Sequence, residues 1–156
     1  MLVMRATVSL LVVAALALPT TPAARVQDDT MGERITTTAF DGVVVYPAGR
    51  NESKYWWIPT RRDVMAAEAA LTAAVSRSAL AKTRVGRELH HYKRQYRPIR
   101  NGGRQIVIIG FHESQVDDGR WLRQPLIAMG GGDNFFDATY SFKTGTIVSL
   151  NVNAPK

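Results

Sequence analysis

The sequence predicts an α+β domain in which one long helix packs on an antiparallel sheet of five to six strands. Residues 60–82 repeat apolar side chains at a spacing of about 3.6 residues, which is typical of an amphipathic helix. Residues 89–152 are divided by glycine-containing turns into short runs rich in β-branched and aromatic residues, as in a meander of strands. A helix laid across one face of such a sheet gives a two-layer domain.

The helix is expected to begin after Thr60 and to end near residue 82. The Thr60 hydroxyl can accept a hydrogen bond from the backbone N–H of Asp63, and the first turn of a helix favours the negative charge of Asp63. Val64, Leu71 and Val75 mark the apolar face. The charged residues expected to lie outside that face are Arg61, Arg62, Glu68, Arg77 and Lys82.

Six strands are expected, each bounded by a turn signal. They are placed at residues 40–46, 89–99, 105–113, 120–129, 135–142 and 146–152. Residues 85–96 also fit helical spacing, but the Asn101-Gly102-Gly103 turn requires an antiparallel partner for the strand that follows it. A hairpin centred on that turn would place His112 beside Tyr92.

The N-terminal residues have the features of a signal peptide. Arg5 supplies a positive start, residues 6–18 an apolar run and residues 20–24 a zone of small residues for cleavage. The apolar run is shorter than the roughly 20 residues of a membrane-spanning helix, and no other stretch is a candidate span. We therefore expect a signal peptide at 1–24, a flexible leader at 25–38 and a single domain at 39–156, exported to the periplasm or the medium.

The composition limits the chemistry of the chain. Among its 156 residues there is no cysteine, which excludes disulfides, thiol catalysis and zinc-cysteine sites and suits a bacterial envelope protein. The formal net charge of +7 attracts anionic partners, although it can also serve solubility alone. Outside the cytosol the nearest anions are phospholipid head groups, lipopolysaccharide and acidic wall polymers, whereas nucleic acid is not an expected partner.

No catalytic residue is assigned from the sequence. It contains no nucleophile-elbow motif, phosphate-binding loop or dinucleotide fingerprint. His90, His91, His112 and Glu113 could together bind a metal, but adjacent residues of a strand face opposite ways. We therefore expect neither a metal site nor a cofactor.

The strongest local bias is the basic second strand with its turn, where arginine, lysine and tyrosine alternate. Arginine offers a planar fork for phosphate or carboxylate, and tyrosine offers rigid contact area. A solvated strand face is the alternative interpretation. The candidate binding residues are Tyr92, Lys93, Arg94, Tyr96, Arg97, Arg100 and Arg104.

The order of strand, long helix and antiparallel strands resembles the cystatin-like and NTF2-like classes of α+β fold. Three motifs are similar to those of small exported bacterial proteins with no assigned activity: W-x-P-T-x-x-D at residues 57–63, Y-x-R-Q-Y at 92–96 and G-G-x-x-F-F at 131–136. The resemblance implies a fold and a location, not an activity. Residues 105–110 also resemble the Q-x-V-x-G inhibitory loop of cystatins, but one residue is inserted, so inhibition is not implied.

The preferred hypothesis is an exported, non-enzymatic binding domain whose basic, aromatic sheet surface engages an anionic envelope component or an acidic protein. One alternative is an NTF2-like enzyme or a ligand-binding pocket between helix and sheet. The other is a cystatin-like protein that docks a peptide or acts as an inhibitor. Paired carboxylates or histidines in a pocket would favour the first alternative, and an apolar wedge at a hairpin tip would favour the second.

Overall fold

A computed structural model describes residues 32–46, 57–116, 119–127 and 130–153. They form an α+β domain with one six-stranded sheet, in which the strands are adjacent in chain order. The strands are β1 (Arg34–Thr36), β2 (Asp41–Val44), β3 (Tyr92–Arg100), β4 (Arg104–His112), β5 (Phe135–Ser141) and β6 (Thr146–Val152). The helices are α1 (Arg61–Arg77), α2 (Arg84–Arg87) and α3 (Arg120–Arg123), and short 3-10 turns occupy Ala79–Lys82, Leu89–His91, Glu113–Gln115 and Gly132–Asn134.

Helix α1 begins as the sequence predicts and ends earlier. The Thr60 hydroxyl accepts a hydrogen bond from the backbone N–H of Asp63 at 3.2 Å, and the Asp63 carboxylate accepts one from the backbone N–H of Thr60 at 2.8 Å. At the other end, Ser78 has an extended backbone, and its hydroxyl accepts from the N–H of Leu80 at 3.2 Å. This cap starts a 3-10 turn, so the helix stops at Arg77.

The sheet is mixed, so the prediction of a purely antiparallel sheet is wrong. Strand β2 pairs with β3 in parallel, with Val43 opposite Gln95, and every other pairing is antiparallel. Helix α1 lies in the connection from β2 to β3. A long helical connection can return the chain to the same end of a sheet, which a short hairpin cannot do.

The hairpin between β3 and β4 confirms the strand interpretation of its first arm. Tyr92 lies opposite His112, as the turn at residues 101–103 predicts, and the ladder continues to Arg100 opposite Arg104. Within the ambiguous stretch, residues 85–87 belong to helix α2 and residues 89–91 form a 3-10 turn, so the strand begins at Tyr92 and not at residue 89. Gly102 and Gly103 have φ angles of 64° and 144°, which glycine adopts without the penalty that other residues incur.

Residues 120–129 do not form the strand that the sequence predicts. The described part begins with helix α3, after Gly119 at a φ of 68°, and continues to residue 127 outside the sheet. Its apolar residues pack on a sheet face instead of extending the ladder: Trp121 forms a buried cluster with Val43 and Phe111. Periodicity alone does not distinguish these two ways of burying the same residues.

The predicted flexible leader contains strand β1. Arg34–Thr36 pairs with β2, and Ile35 is fully buried in the core. Three residues are too short a run for alternation to reveal a strand. The predicted signal peptide and the start of the leader lie outside the described residues.

The two faces of the sheet are covered differently. The inner face, defined as the one under α1, carries the main core, in which Tyr96, Ile108 and Ala138 cluster with Val64 and Leu71. The outer face is covered at one end by residues 119–127, called here the strap. No helix in the described ranges is long and apolar enough to cross a membrane.

Candidate functional site

The candidate binding residues of β3 do not form one surface. Tyr92, Arg94 and Tyr96 face inward and are fully or almost fully buried, whereas Lys93 and Arg97 lie on the outer face. Successive residues of a strand point to opposite sides of the sheet, so a continuous run cannot share one face. The expected single exposed surface is therefore wrong, and the residues separate into three environments.

The two tyrosines act within the core. Tyr96 donates a hydrogen bond to Glu68 Oε1 at 3.0 Å, and Tyr92 donates to the backbone carbonyl of Asp133. Burial raises the pKa of Tyr92 to about 12 and raises the pKa of Tyr96 well above its ordinary value. Both phenols are therefore protonated donors at neutral pH and are not available to an external partner.

Each nitrogen of the Arg94 guanidinium has an internal partner. Its Nε lies 3.2 Å from Glu68 Oε1, its Nη2 donates to the carbonyl of Leu89 at 2.8 Å, and its Nη1 donates to the carbonyl of Tyr92. Glu68 is only 5 % exposed, so its predicted position outside the apolar face of α1 is wrong. Since a buried ion pair needs its remaining donors satisfied, this arrangement is a structural connection between α1 and β3.

A groove opens beside this ion pair, between α1, the turn before β2 and the α2 region. Its volume is about 390 Å³, and we call it the α1 groove. The second carboxylate oxygen of Glu68 makes no hydrogen bond with the described residues. The groove is lined by Ala39, Phe40, Met65, Glu68, Ala69, Thr72, Gly86, Arg87, Leu89, His90 and Arg94.

Lys93 is ion-paired on the outer side of the sheet. Its Nζ lies 3.3 Å from Asp41 Oδ2, and the same carboxylate receives two hydrogen bonds from Arg34, at 3.0 and 2.8 Å. Burial tends to raise the pKa of Asp41, but the hydrogen bonds from Arg34, Thr36 and Lys93 and the charge of Arg34 outweigh it, so the pKa is lowered. The carboxylate thus links β1, β2 and β3.

Arg100 and Arg104 remain exposed at the end of the β3–β4 hairpin. They stand directly opposite one another, and neither forms an ion pair with the described residues. The Arg104 guanidinium lies 4.9 Å from the ring of Trp57 and 5.0 Å from the ring of Phe142. We call Arg100, Arg104, Trp57 and Phe142 the hairpin tip. It is a basic, aromatic surface built from two of the predicted binding residues.

Arg97 shares the outer face with Lys93 but lies beside a cavity. Its Nε and Nη2 atoms are buried and have no hydrogen-bond acceptor among the described residues. The cavity has a volume of about 170 Å³ and is shared with Asp137 and with Leu126 and Ile127 of the strap. Buried polar atoms without partners are rare in folded proteins, so this side chain needs an explanation.

A hydrogen-bonded series joins Ser114, His112 and Glu88. Ser114 Oγ lies 2.8 Å from His112 Nδ1, and His112 Nε2 lies 3.1 Å from Glu88 Oε2. A serine–histidine–carboxylate series can activate a nucleophile, but here the backbone N–H of Ser114 also donates to Nδ1, at 3.2 Å. Arg84 holds Glu88 at 2.9 Å, and neither of the cavities above includes Ser114. The series therefore caps the turn that follows β4.

The other histidines do not join His112 in a metal site. His91 Nδ1 lies 2.8 Å from Glu113 Oε1, while the rings of His91 and His112 are 6.1 Å apart. Within the described ranges no group of three or more potential ligands is arranged to hold a metal ion.

Two features of these sites were missed from the sequence. Glu68 lies four residues after Val64 and three before Leu71, so helical spacing already placed it on the buried face. Its charge argued against that position, and the paired arginine provides the compensation. The contact between Arg104 and Phe142 has no local signal, because it depends on the packing of the β5–β6 turn beside the hairpin.

Comparisons of the chain with protein-family models, with curated proteins and with solved structures give no match.

Proposed function

We propose that the protein is an exported, non-enzymatic binding domain whose hairpin tip binds an anionic component of the cell envelope. The observation that carries this proposal is the opposition of Arg100 and Arg104 across the hairpin without an acidic partner among the described residues. Like charges directly opposite on two strands repel one another. A phosphate or carboxylate group between them would remove that repulsion and could accept from both guanidinium groups.

The aromatic side chains restrict the conformation of the hairpin tip before a ligand binds. Arg104 lies close to the rings of Trp57 and Phe142, and the indole N–H of Trp57 donates to the carbonyl of Ile99 at 3.2 Å. Cation–π contacts restrict the Arg104 side chain, so less rotational freedom is lost when a ligand binds. The added Cβ of a larger residue would meet nothing at Gly102 or Gly103, so the turn is open to solvent and to a large partner.

The proposal is tested by binding to anionic surfaces at several salt concentrations. We expect the purified protein to bind vesicles containing phosphatidylglycerol, and poly-glutamate as a carboxylate-only probe, more tightly than neutral phosphatidylcholine vesicles. Exposed charges are screened over about 8–10 Å at physiological ionic strength, so binding should weaken steeply with salt. Comparing the two probes shows whether the tip prefers phosphate or carboxylate.

A matched pair of double variants distinguishes binding at the hairpin tip from attraction by the net charge of the protein. Arg100→Ser/Arg104→Ser should weaken binding by about tenfold or more, which corresponds to roughly 1.4 kcal/mol. Arg61→Ser/Arg62→Ser removes the same charge from the exposed start of α1 and should have a smaller effect. Equal losses in both variants would mean that net charge alone drives binding. Unchanged binding in the first variant would reject the hairpin tip.

A second candidate function is the binding of a small molecule in the α1 groove. Its volume of about 390 Å³ lies within the range of ligand pockets, and the unpartnered oxygen of Glu68 offers one acceptor among largely apolar walls. Ala69→Leu should fill the groove, whereas Ala66→Leu changes an exposed position of the same helix that does not line it. The test is a titration with a panel of small alcohols, followed by the NMR methyl signals of Met65 and Leu89. Shifts in the Ala66→Leu variant, which keeps the groove open, and none in the Ala69→Leu variant would support this function. Equal responses in both variants would reject it.

The peptide-docking alternative has less support at this hairpin. Its tip consists of Arg100 and Arg104 on either side of Asn101-Gly102-Gly103, where an apolar wedge would be needed. The proposed role of the tip is therefore electrostatic.

A further inference from the structure

The outer edge of β6 lacks most of the features that prevent a sheet edge from pairing. Strands β1 and β6 are the two edges of the sheet. Strand β1 has three residues and carries the charged Arg34, whereas β6 has seven residues, and none of them is charged or a proline. Short length, charge and proline usually block the addition of a further strand, and β6 has only a bulge at Val148. Within the described sheet, β6 is therefore the edge at which another strand can be added.

This edge offers both backbone and apolar groups. The N–H of Asn153 donates to the carbonyl of Phe135 at 3.1 Å, so by alternation the N–H groups of Leu150 and Val152 point away from β5. The side chain of Val148 is 53 % exposed, and that of Leu150 is only partly buried although it packs on the core. A strand added here would make hydrogen bonds and cover apolar surface at the same time.

Helix α1 lies beside this edge and runs in the same direction as β6. Among the strands, α1 approaches β5 and β6 most closely. Trp57, which precedes the helix, packs on Phe142 at the end of the sheet where β6 begins, with the ring centroids 5.1 Å apart. Arg84, which follows the helix, donates to Asn134 at the end where β6 finishes. A partner that pairs with β6 would therefore also meet α1 along its length.

The flank of α1 on the β6 side has small side chains between two opposite charges. The other flank lines the α1 groove. Asp63 lies at the start of the flank and Arg77 at its end, and neither forms an ion pair with the described residues. The side chains between them, at spacings of three and four residues, are the exposed or half-buried Ala66, Ala70 and Ala74.

We propose that β6 pairs antiparallel with β6 of a second copy of this chain, about a two-fold axis perpendicular to the sheet near Ser149. Because α1 and β6 run in the same direction, this axis also makes the two α1 helices antiparallel. Asp63 of each copy then faces Arg77 of the other, and the alanines meet between them. A two-fold interface must be complementary to itself, and this one is, since the flank has opposite charges at its two ends and β6 brings no like charges together.

The dimensions of the two layers agree with a shared axis. Asp63 and Arg77 are separated by about 21 Å at 1.5 Å per residue, and the seven residues of β6 span about 20 Å. Neighbouring strands are about 4.8 Å apart, so helices above the β5–β6 pair of each copy would lie about 10 Å apart. Packed helices lie roughly 8–10 Å apart. An unrelated extended peptide could pair with β6 but would leave the flank of α1 uncovered.

The first experiment is sedimentation equilibrium of the purified protein over a range of concentrations, which we expect to show monomers and dimers. Val148→Lys puts a charge on the edge strand and should raise the dimer dissociation constant about tenfold or more. Ile127→Lys is the matched control, because Ile127 is also an exposed apolar residue, 83 % exposed, but lies on the strap. It should dimerise as the unaltered protein does.

Two charge variants test the helix contact. Arg77→Glu makes both ends of the flank negative and Asp63→Lys makes both ends positive, so each should weaken self-association about tenfold or more. An equimolar mixture of the two variants should restore dimers, because each mixed dimer contains two pairs of opposite charges. Arg62→Glu makes the same change of charge at an exposed position half a turn away from Leu71 and should leave the dimer unchanged. Circular dichroism confirms that each variant is folded.

Three results would overturn the proposal. One is a protein that stays monomeric up to its solubility limit. Another is a dimer that Val148→Lys leaves unchanged, which would place the interface elsewhere. The third is a mixture of Arg77→Glu and Asp63→Lys that associates no better than either variant alone.

Discussion

Glu68 and Arg94 form an ion pair in the interior of the protein, with Arg94 Nε 3.2 Å from Glu68 Oε1 and the two side chains 7 % and 1 % exposed. The pair joins the middle of α1 to β3 beneath it. The hydroxyl of Tyr96 donates to the same carboxylate oxygen, and two backbone carbonyls accept from the other nitrogens of Arg94. These hydrogen bonds offset the desolvation of both charges, which an ion pair alone does not achieve.

Removing only the acid should be strongly destabilising. Glu68→Leu leaves the Arg94 charge buried without a counter-ion, and we expect the free energy of unfolding to fall by about 3–5 kcal/mol. The measurement is urea denaturation followed by circular dichroism. The double variant Glu68→Leu/Arg94→Met removes both charges and should recover much of the loss. If the double variant is as unstable as the sum of its two single variants, the two charges are not coupled.

The same pair shows where the sequence could and could not predict this structure. The spacing of Val64, Glu68 and Leu71 puts Glu68 on the buried face of α1, and strand alternation puts Arg94 between two inward tyrosines. Each residue alone is too polar to be buried, and only the long-range contact between them resolves this conflict. Burial of paired charges is a tertiary property that local patterns do not encode.

The sheet also contains some parts that the sequence predicts and others that it does not. The β3–β4 hairpin, its register and the strands β5 and β6 were predictable, because glycine-containing turns fix both the position and the register of short antiparallel connections. The parallel pairing of β2 with β3 depends on a connection through α1. The position of the strap depends on which face of the sheet α1 leaves uncovered. Strand alternation is sufficient to predict that the basic residues of β3 lie on opposite faces of the sheet. The cavity at Arg97 was not predictable, because it is lined in part by Asp137 of β5.

Close packing at Gly110 predicts a second effect on stability. A Cβ at this position would lie 2.1 Å from Cε1 of Phe136, whose ring is buried in the inner core. Gly110→Ala should lower the free energy of unfolding by about 1–3 kcal/mol, the usual cost of overpacking a core. Thermal unfolding measures the change. Adding Phe136→Leu to this variant should reverse part of the loss, since a smaller side chain leaves room for the methyl group. A Gly110→Ala protein with unchanged stability would show that the ring moves freely.

The position of the strap depends on Gln95. Gln95→Leu removes three hydrogen bonds to the backbone of residues 121–126 and leaves buried polar groups without partners, so stability should fall by roughly 1–3 kcal/mol. Hydrogen exchange should also accelerate at residues 119–127 more than in β4 or β5. Gln124→Ala is the control, because Gln124 is exposed and bonds Gln95 through its backbone carbonyl only. Unchanged exchange in the strap would contradict this role of Gln95.

The carboxylate of Asp41 should make stability depend on pH in the acid range. Its pKa is lowered in the folded protein, chiefly because hydrogen bonds from Arg34 and Thr36 and the charge of Arg34 outweigh the opposing effect of burial. A carboxyl group with a lowered folded pKa stabilises the protein fully at pH values above its unfolded pKa. That contribution is lost as the pH falls through the folded pKa, where the carboxylate becomes protonated in both states.

The variant Asp41→Asn therefore should be less stable than the unaltered protein near neutral pH and should approach it as the pH falls. We expect a difference of about 1 kcal/mol or less, because the pair with Arg34 is partly hydrated and screened by salt. Urea denaturation at a series of pH values from neutral to strongly acidic measures the difference. Glu33→Gln is the matched control, since Glu33 is exposed and forms no ion pair with the described residues. A difference between Asp41→Asn and the unaltered protein that stays constant across this range would show that the charge of Asp41 does not stabilise the β1–β2–β3 edge.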